Sequence, residues 1–281
     1  MVCRNVFLML AACAVVRGGS AVAQDLHADQ VTQHLFEQYV VRQGKINTES
    51  VMAATHLVAE RGRESGFWKN VLAEFQRDNP PSEIGCVRVL GKMLAADAAA
   101  RDALRRQKET GEVSAGIPRV FLGAEVVAAL VERGGKADCF RSDHYAIALA
   151  RARAPEARGF FQSILRERVL PANPVGRAEV APVRWRHSDS TQFHAAVGLA
   201  QLGDAEGIAW LIEHCEFSQG TVTNASPQGA PRGGDLSACC VEALRQLSKE
   251  HQRTSRAEWA AWWKSADSKR LLDPAVSFGD P

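Results

Sequence analysis

An internal repeat constrains this chain more than any other feature. A shift of fifty residues lays "AIALARARAPEARGFF" (146–161) on "AVGLAQLGDAEGIAWL" (196–211) without a gap. Ala146 falls on Ala196, Leu149 on Leu199, Ala150 on Ala200, Glu156 on Glu206 and Phe160 on Trp210. Each copy reads as an alanine-rich helix, a break, and a second apolar helix. A fainter third copy, "CCVEALRQLS" (239–248), sets Leu244 on Leu199 and Leu247 on Leu202. Weaker echoes lie at 50–60 and 84–94. Two helices per repeat of this length are the signature of a helical solenoid.

The composition of the repeats supports that reading. Each hairpin is apolar over more than one stripe, so it buries its surface only by stacking on neighbours. Small residues at 146, 148, 150, 195, 196, 198 and 200 let helices approach closely, and Phe160, Phe161, Trp210, Leu211 and Ile212 fill the space between layers. Gly203 suits the left-handed position after a helix, and Asp204 suits the N-cap of the next. Strand signals are scarce. Elsewhere, Trp68, Leu72 and Phe75 share one face of a helix that Pro80-Pro81 ends, and 120–135 reads as an apolar helix stopped by Gly134-Gly135. The connection 170–190 is long for an array. A second, 217–235, is rich in Gly, Pro, Ser and Asn and reads as a disordered loop.

The repeat motif "AAVGLAQLGDAEGIAWLIE" (195–213) resembles a HEAT repeat of the short type also found in the HEAT-like bilin lyases. The ending "SRAEWAAWWKSA" (255–266) resembles the tail of exported bacterial HEAT-repeat proteins, which often close on a tryptophan-rich helix. The resemblance covers 141–265, is suggestive over 48–110, and is absent at 24–47 and after 267. It implies an all-α solenoid of stacked hairpins over 48–281, clearest at 141–169, 188–216 and 235–265. Within the ending, Ser255 and Glu258 form a capping box, so a helix should start at Arg256. Trp259, Trp262 and Trp263 then share one side and are expected to cover the last repeat around Leu244 and Leu247.

The first residues have the three parts of an export signal: Arg4, an apolar run from Val6 to Val16, and the small-x-small site Ala21-Val22-Ala23. The run is shorter than the ~20 residues a transmembrane helix needs. Cleavage after Ala23 is the expectation, which makes 1–23 a signal peptide and puts the chain in the periplasm or outside the cell. Leu10-Ala11-Ala12-Cys13 resembles a lipobox, and acylation at Cys13 is the lesser alternative. Cleavage removes Arg4 and Arg17 and no acid, so Lys+Arg falls from 34 to 32 against 32 Asp+Glu. A neutral chain lacks the basic footprint of general nucleic-acid binding.

Charge is uneven, however: residues 141–187 carry nine arginines against four acids. The reading is a solvated face or a surface for an acidic protein partner, with Arg151, Arg158, Arg166, Arg168, Arg184, Trp185 and Arg186 as the partner-binding candidates. The catalytic search is negative. The chain has no GxSxG, GxxxxGK or HExxH, no GxGxxG after a strand, and no His-Glu dipeptide of the kind a di-iron HEAT hydroxylase repeats. His187, His194, His214 and Cys215 match no regular metal spacing and read as scattered side chains. Glu242 and Glu250 show no apolar pocket that would tune a pKa. Five cysteines remain after cleavage, without a CxxC. Cys239-Cys240 reads as a packing pair, with a disulfide from Cys215 to either as the alternative in an oxidising compartment.

HEAT arrays serve many unrelated partners. The expectation is therefore a non-catalytic interaction or scaffold module with no catalytic residue, cofactor or metal. The alternative is a lyase-type enzyme that holds a tetrapyrrole in the superhelical groove, or a module that binds a small ligand there. Export argues against the lyase, whose substrates are cytoplasmic.

Overall fold

A computed structural model describes residues 30–41, 48–77, 79–111, 122–167, 187–215, 236–249, 252–253 and 255–265. The signal segment with Cys13, the connection 217–235, Glu250, and Arg168, Arg184, Trp185 and Arg186 lie outside the described residues. Every element among the described residues is helical, and the fold is all-α. Contacts divide the chain into two units, 1–93 with 118–122 and 94–117 with 123–281. The division falls inside the helix Pro80–Thr110.

In the first unit a helix over 30–35 runs on into a π-helical stretch, Phe36–Val41. Three helices follow: α1 (Thr48–Ser65), α2 (Trp68–Gln76) and the first part of α3 (Pro80–Thr110). Trp68, Val71, Leu72 and Phe75 recur at helical spacing on α2 and are all buried. Phe67 meets Phe36 edge-on at 5.5 Å and ties the π-helix to the α1–α2 turn. Gly66 makes that turn with a φ of 78°, in the left-handed region that glycine enters without strain. Pro80 opens α3, where its missing N–H costs nothing. The buried Glu74 accepts from Ser82 Oγ at 3.0 Å and from Arg77 Nη1 at 3.0 Å, which holds α2 to the start of α3.

The second unit contains the end of α3 and α4 (Ala124–Gly134), α5 (Cys139–Ala152), a 3-10 turn (Pro155–Ala157), α6 (Arg158–Arg166), α7 (Asp189–Gln201), α8 (Ala205–His214), α9 (Leu236–Ser248) and α10 (Arg256–Lys264). α4 packs on α5. α7 packs on both α5 and α6, and α9 in turn packs on both α7 and α8. The first helices of two successive hairpins, α7 and α9, thus each lie against both helices of the hairpin before. α7 is the centre of the unit and is buried on almost every side, as expected of a helix apolar all round.

The fifty-residue repeat reappears in the backbone. Arg153 (φ 48°) and Gly203 (φ 71°) both sit in the left-handed region, one repeat apart. Their N–H groups donate to Ala150 and Ala200, at 3.2 and 3.0 Å. The next residues, Ala154 (φ −82°, ψ 124°) and Asp204 (φ −85°, ψ 125°), share one extended conformation. At the second site the Asp204 N–H also reaches Leu199 O at 2.9 Å, completing the double C-terminal cap that glycine favours. Asp204 then caps α8 as expected, accepting from Glu206 N at 2.9 Å. Close approach depends on small residues: a Cβ at Gly198 would lie 2.6 Å from the Phe161 ring, and one at Gly207 would lie 2.4 Å from Ala196 O.

Candidate functional site

The arginines on α6 do not stand free. Arg158, Gln162 and Arg166 occupy one stripe of that helix, four residues apart, and face the start of α8. Asp204 uses Oδ1 to cap α8, while its Oδ2 accepts from Arg158 Nη1 at 3.1 Å and Gln162 Nε2 at 3.2 Å. Arg158 Nη2 also donates to the Leu202 carbonyl at 3.1 Å, one of the carbonyls at the end of α7. Two residues on, Glu206 takes Arg166 in a bidentate pair at 2.9 and 2.6 Å, and that hydrogen bonding raises the guanidinium pKa. Arg158 and Arg166, two of the partner-binding candidates, thus stand in ion pairs within the chain while their side chains stay largely exposed. Their charges are met within the chain, by carboxylates one hairpin further on. Arg153 follows the same logic and pairs with Asp102 on α3.

A polar grouping lies along the seam between α5 and α7. Asp143 on α5 accepts from Ser190 Oγ at 2.9 Å and Thr191 Oγ1 at 3.5 Å, while Ser188 N-caps α7 by accepting from Thr191 N at 3.1 Å. His194 lies one turn beyond Ser190. Burial pushes its pKa down to about 4, opposed by the Asp143 charge and reinforced by Arg151. The imidazole is therefore neutral near pH 7. Arg151, partly exposed at the end of α5, is thus one of the two charges that reach it. His187, buried just before α7, brings Nδ1 to 3.2 Å from Ser142 Oγ and Nε2 to 3.5 Å from Glu167 Oε2. Asp143 serves two hydroxyls and Ser142 is fully buried, so the seam works as an interhelical polar lock. A Ser-His-acid count alone would mislead here, because the Ser142 hydroxyl is closed to substrate.

His214 stacks on Trp210 at 3.9 Å, away from the seam. Among the described residues no three His, Cys, Asp or Glu side chains are grouped to hold a metal ion. Cys215, Cys239 and Cys240 do meet in one core where α8 faces α9, as the stacking argument anticipates. No disulfide joins the three in this structure, and Cys215 Sγ lies 3.1 Å from the Ile212 carbonyl, as a donor to it. Burial raises the Cys240 pKa, with Cys239 and Cys215 adding to the effect, and a thiol so placed is a poor nucleophile.

The C-terminal helix begins at Arg256 with the full capping box: Glu258 N donates to Ser255 Oγ at 3.3 Å and Ser255 N to Glu258 Oε2 at 2.9 Å. Trp259 and Trp262 are buried in the core that contains Leu244 and Leu247, with their rings edge to face at 5.6 Å. Trp263 is partly buried at its margin. The backbone of α10 packs on α8, so the tryptophans reach the α9 leucines across a shared core. What sequence reasoning missed were the acceptors: Asp102, Asp143, Asp204 and Glu206 carry no motif of their own. The repeat register was the only signal that could have found Glu206 opposite α6.

No family model, curated protein or solved structure matches this chain.

Proposed function

We propose that the helices from 124 to 265 form a short solenoid of HEAT-type hairpins, and that the exported chain acts as a non-catalytic docking module for an acidic protein. One observation carries the reading: the same packing rule operates twice in succession, with α7 on α5 and α6 and then α9 on α7 and α8. The shared left-handed region at 153 and 203 and the near-equal angles at 154 and 204 support it. So do the α6–α8 ion pairs, which tie successive second helices together. A stack of this kind presents long surfaces on which partners dock. With Arg158 and Arg166 paired to Asp204 and Glu206, the cations assigned to the partner are Arg168, Arg184 and Arg186, with Trp185 as the apolar anchor among them.

The test is a pull-down from the native envelope fraction with the mature chain, repeated with Arg184→Glu/Arg186→Glu and at raised salt. One stoichiometric partner, lost with the double reversal and weakened by salt, is the expected result. Recovery indifferent to both would remove the docking role from these residues. A co-purifying chromophore would favour the lyase-type alternative.

A further inference from the structure

The first unit contains a groove of mixed polar and apolar lining that none of the preceding roles uses. One wall is the stripe Gln30, Gln33, His34 and Glu37, at i, i+3, i+4 and i+7 along the helix that turns π-helical at Phe36. The other wall is Ser65 and Gly66 in the α1–α2 turn, followed by Asn70, Glu74 and Arg77 on one face of α2. Two hollows, of about 550 and 350 Å3, lie along it and share Gln33, Glu37 and Asn70. Each is within the range of small-ligand sites. π-helical turns are uncommon and recur at functional sites, because the wider turn re-aims its side chains.

The chemistry of the walls selects the ligand. Gln30, Gln33, Asn70 and Ser65 can each donate and accept, as a sugar hydroxyl does. Arg77, paired with Glu74 at 3.0 Å, is set against two carboxylates, Glu37 and Glu74, so the walls carry no net positive charge to select a phosphate or carboxylate. Glu37 accepts from Gln33, which leaves its carboxylate further lone pairs for neighbouring hydroxyls. Phe67 and Phe36 in the floor, with Val41 and Ala73 beside them, add apolar surface at least equal to the polar, against which the C–H face of a sugar ring can lie. We propose that this groove is a binding site for a neutral oligosaccharide of two or three sugar units, held by paired hydrogen bonds from the two facing helices.

The test is ligand-observed NMR on the full chain with a fixed panel of neutral trisaccharides: maltotriose, cellotriose, xylotriose, mannotriose and N-acetylchitotriose. Gln33→Ala and Asn70→Ala are compared with the parent chain. Both side chains lie at the surface, and circular dichroism and thermal melting are expected to be unchanged. At least one trisaccharide should bind in the millimolar range or tighter, and each variant should weaken it about tenfold, as expected for lost hydrogen bonds. The proposal is overturned if no member of the panel binds at millimolar concentration, or if binding survives both substitutions. It is likewise overturned if tetraalanine, added as a peptide control, binds where the sugars do not.

Discussion

Replacing glycine by alanine inside a helix normally stabilises, by about 0.5–1 kcal/mol, because the unfolded chain loses freedom. Two glycines of the second unit should respond with opposite signs. At Gly207, near the start of α8, a new Cβ would lie 2.4 Å from Ala196 O, 2.6 Å from Ala200 N and 2.7 Å from Leu199 Cβ. Two of these are backbone atoms of α7 and cannot rotate away. Carbon contacts are comfortable only near 3.5 Å, so α7 and α8 would have to part by roughly 1 Å. Overpacking of that order costs about 1–3 kcal/mol and outweighs the propensity gain. At Gly159, in the first turn of α6, a Cβ would meet nothing within 4 Å. Gly159→Ala should therefore stabilise by a few tenths to about 1 kcal/mol, and since the propensity gain is common to both, the two variants should differ by roughly 1–3 kcal/mol. Urea unfolding followed by circular dichroism, with m-values checked for equality, measures both. If Gly207→Ala proves as stable as the parent chain, α7 and α8 do not cross at that glycine. The hairpin geometry argued above would then have to be abandoned.

Two further outcomes follow from the same unit. His194 has a folded pKa depressed to about 4, against an unfolded value near 6.5. The unfolded chain takes the proton first, so this stabilisation is fully present above about pH 6.5 and is lost as pH falls towards 4, by at most about 3 kcal/mol. His194→Gln should flatten that limb of the stability-pH curve measured by urea titration; an unaltered limb would place the dependence elsewhere. Trp259, with no exposed surface, should cost about 3–5 kcal/mol when truncated to alanine. Tryptophan emission and the melting midpoint of Trp259→Ala report this, and an unchanged midpoint would remove the terminal capping role.

Local signals in the sequence proved the most legible. The Gly203-Asp204 break and the Ser255/Glu258 capping box each depend on residues within a turn of one another, so their chemistry is written contiguously. The apolar stripe Trp68, Leu72, Phe75 is local in the same sense. α3 was less legible: Gly85 and Gly91 interrupt its first half, and only 84–94 stood out. Yet Ala95 to Arg106 consists mostly of strong helix formers, and the helix runs unbroken from Pro80 to Thr110. The ion pairs were not legible at all. Arg158 reaches Asp204 over 46 positions and Arg166 reaches Glu206 over 40, a match that exists only once α6 and α8 are set in register. Before that register is known, an intramolecular ladder and a basic docking patch look the same.

Positions 153 and 203 show why repeats of this kind reveal architecture more readily than function. Both hold the chain in the left-handed turn between two helices, with nearly the same hydrogen bond behind them. At 203 the residue is glycine, which adopts that conformation without strain. At 153 it is arginine, for which the same conformation costs roughly 1–2 kcal/mol. That cost is opposed by something glycine cannot offer: an ion pair to Asp102, with both side chains largely shielded from solvent. The turn therefore survives a change of residue because a contact outside the repeat takes over its support. Selection on the backbone fixes only the conformation, and the side chain at such a site is free to serve a neighbouring element. The same freedom operates at Glu156 and Glu206, identical in the fifty-residue alignment, of which Glu206 holds a guanidinium from the preceding hairpin. In the array proposed above, function would reside where copies diverge. In this chain the copies diverge most in what lies between them, including the stretch 168–186 that carries Arg168, Arg184, Trp185 and Arg186.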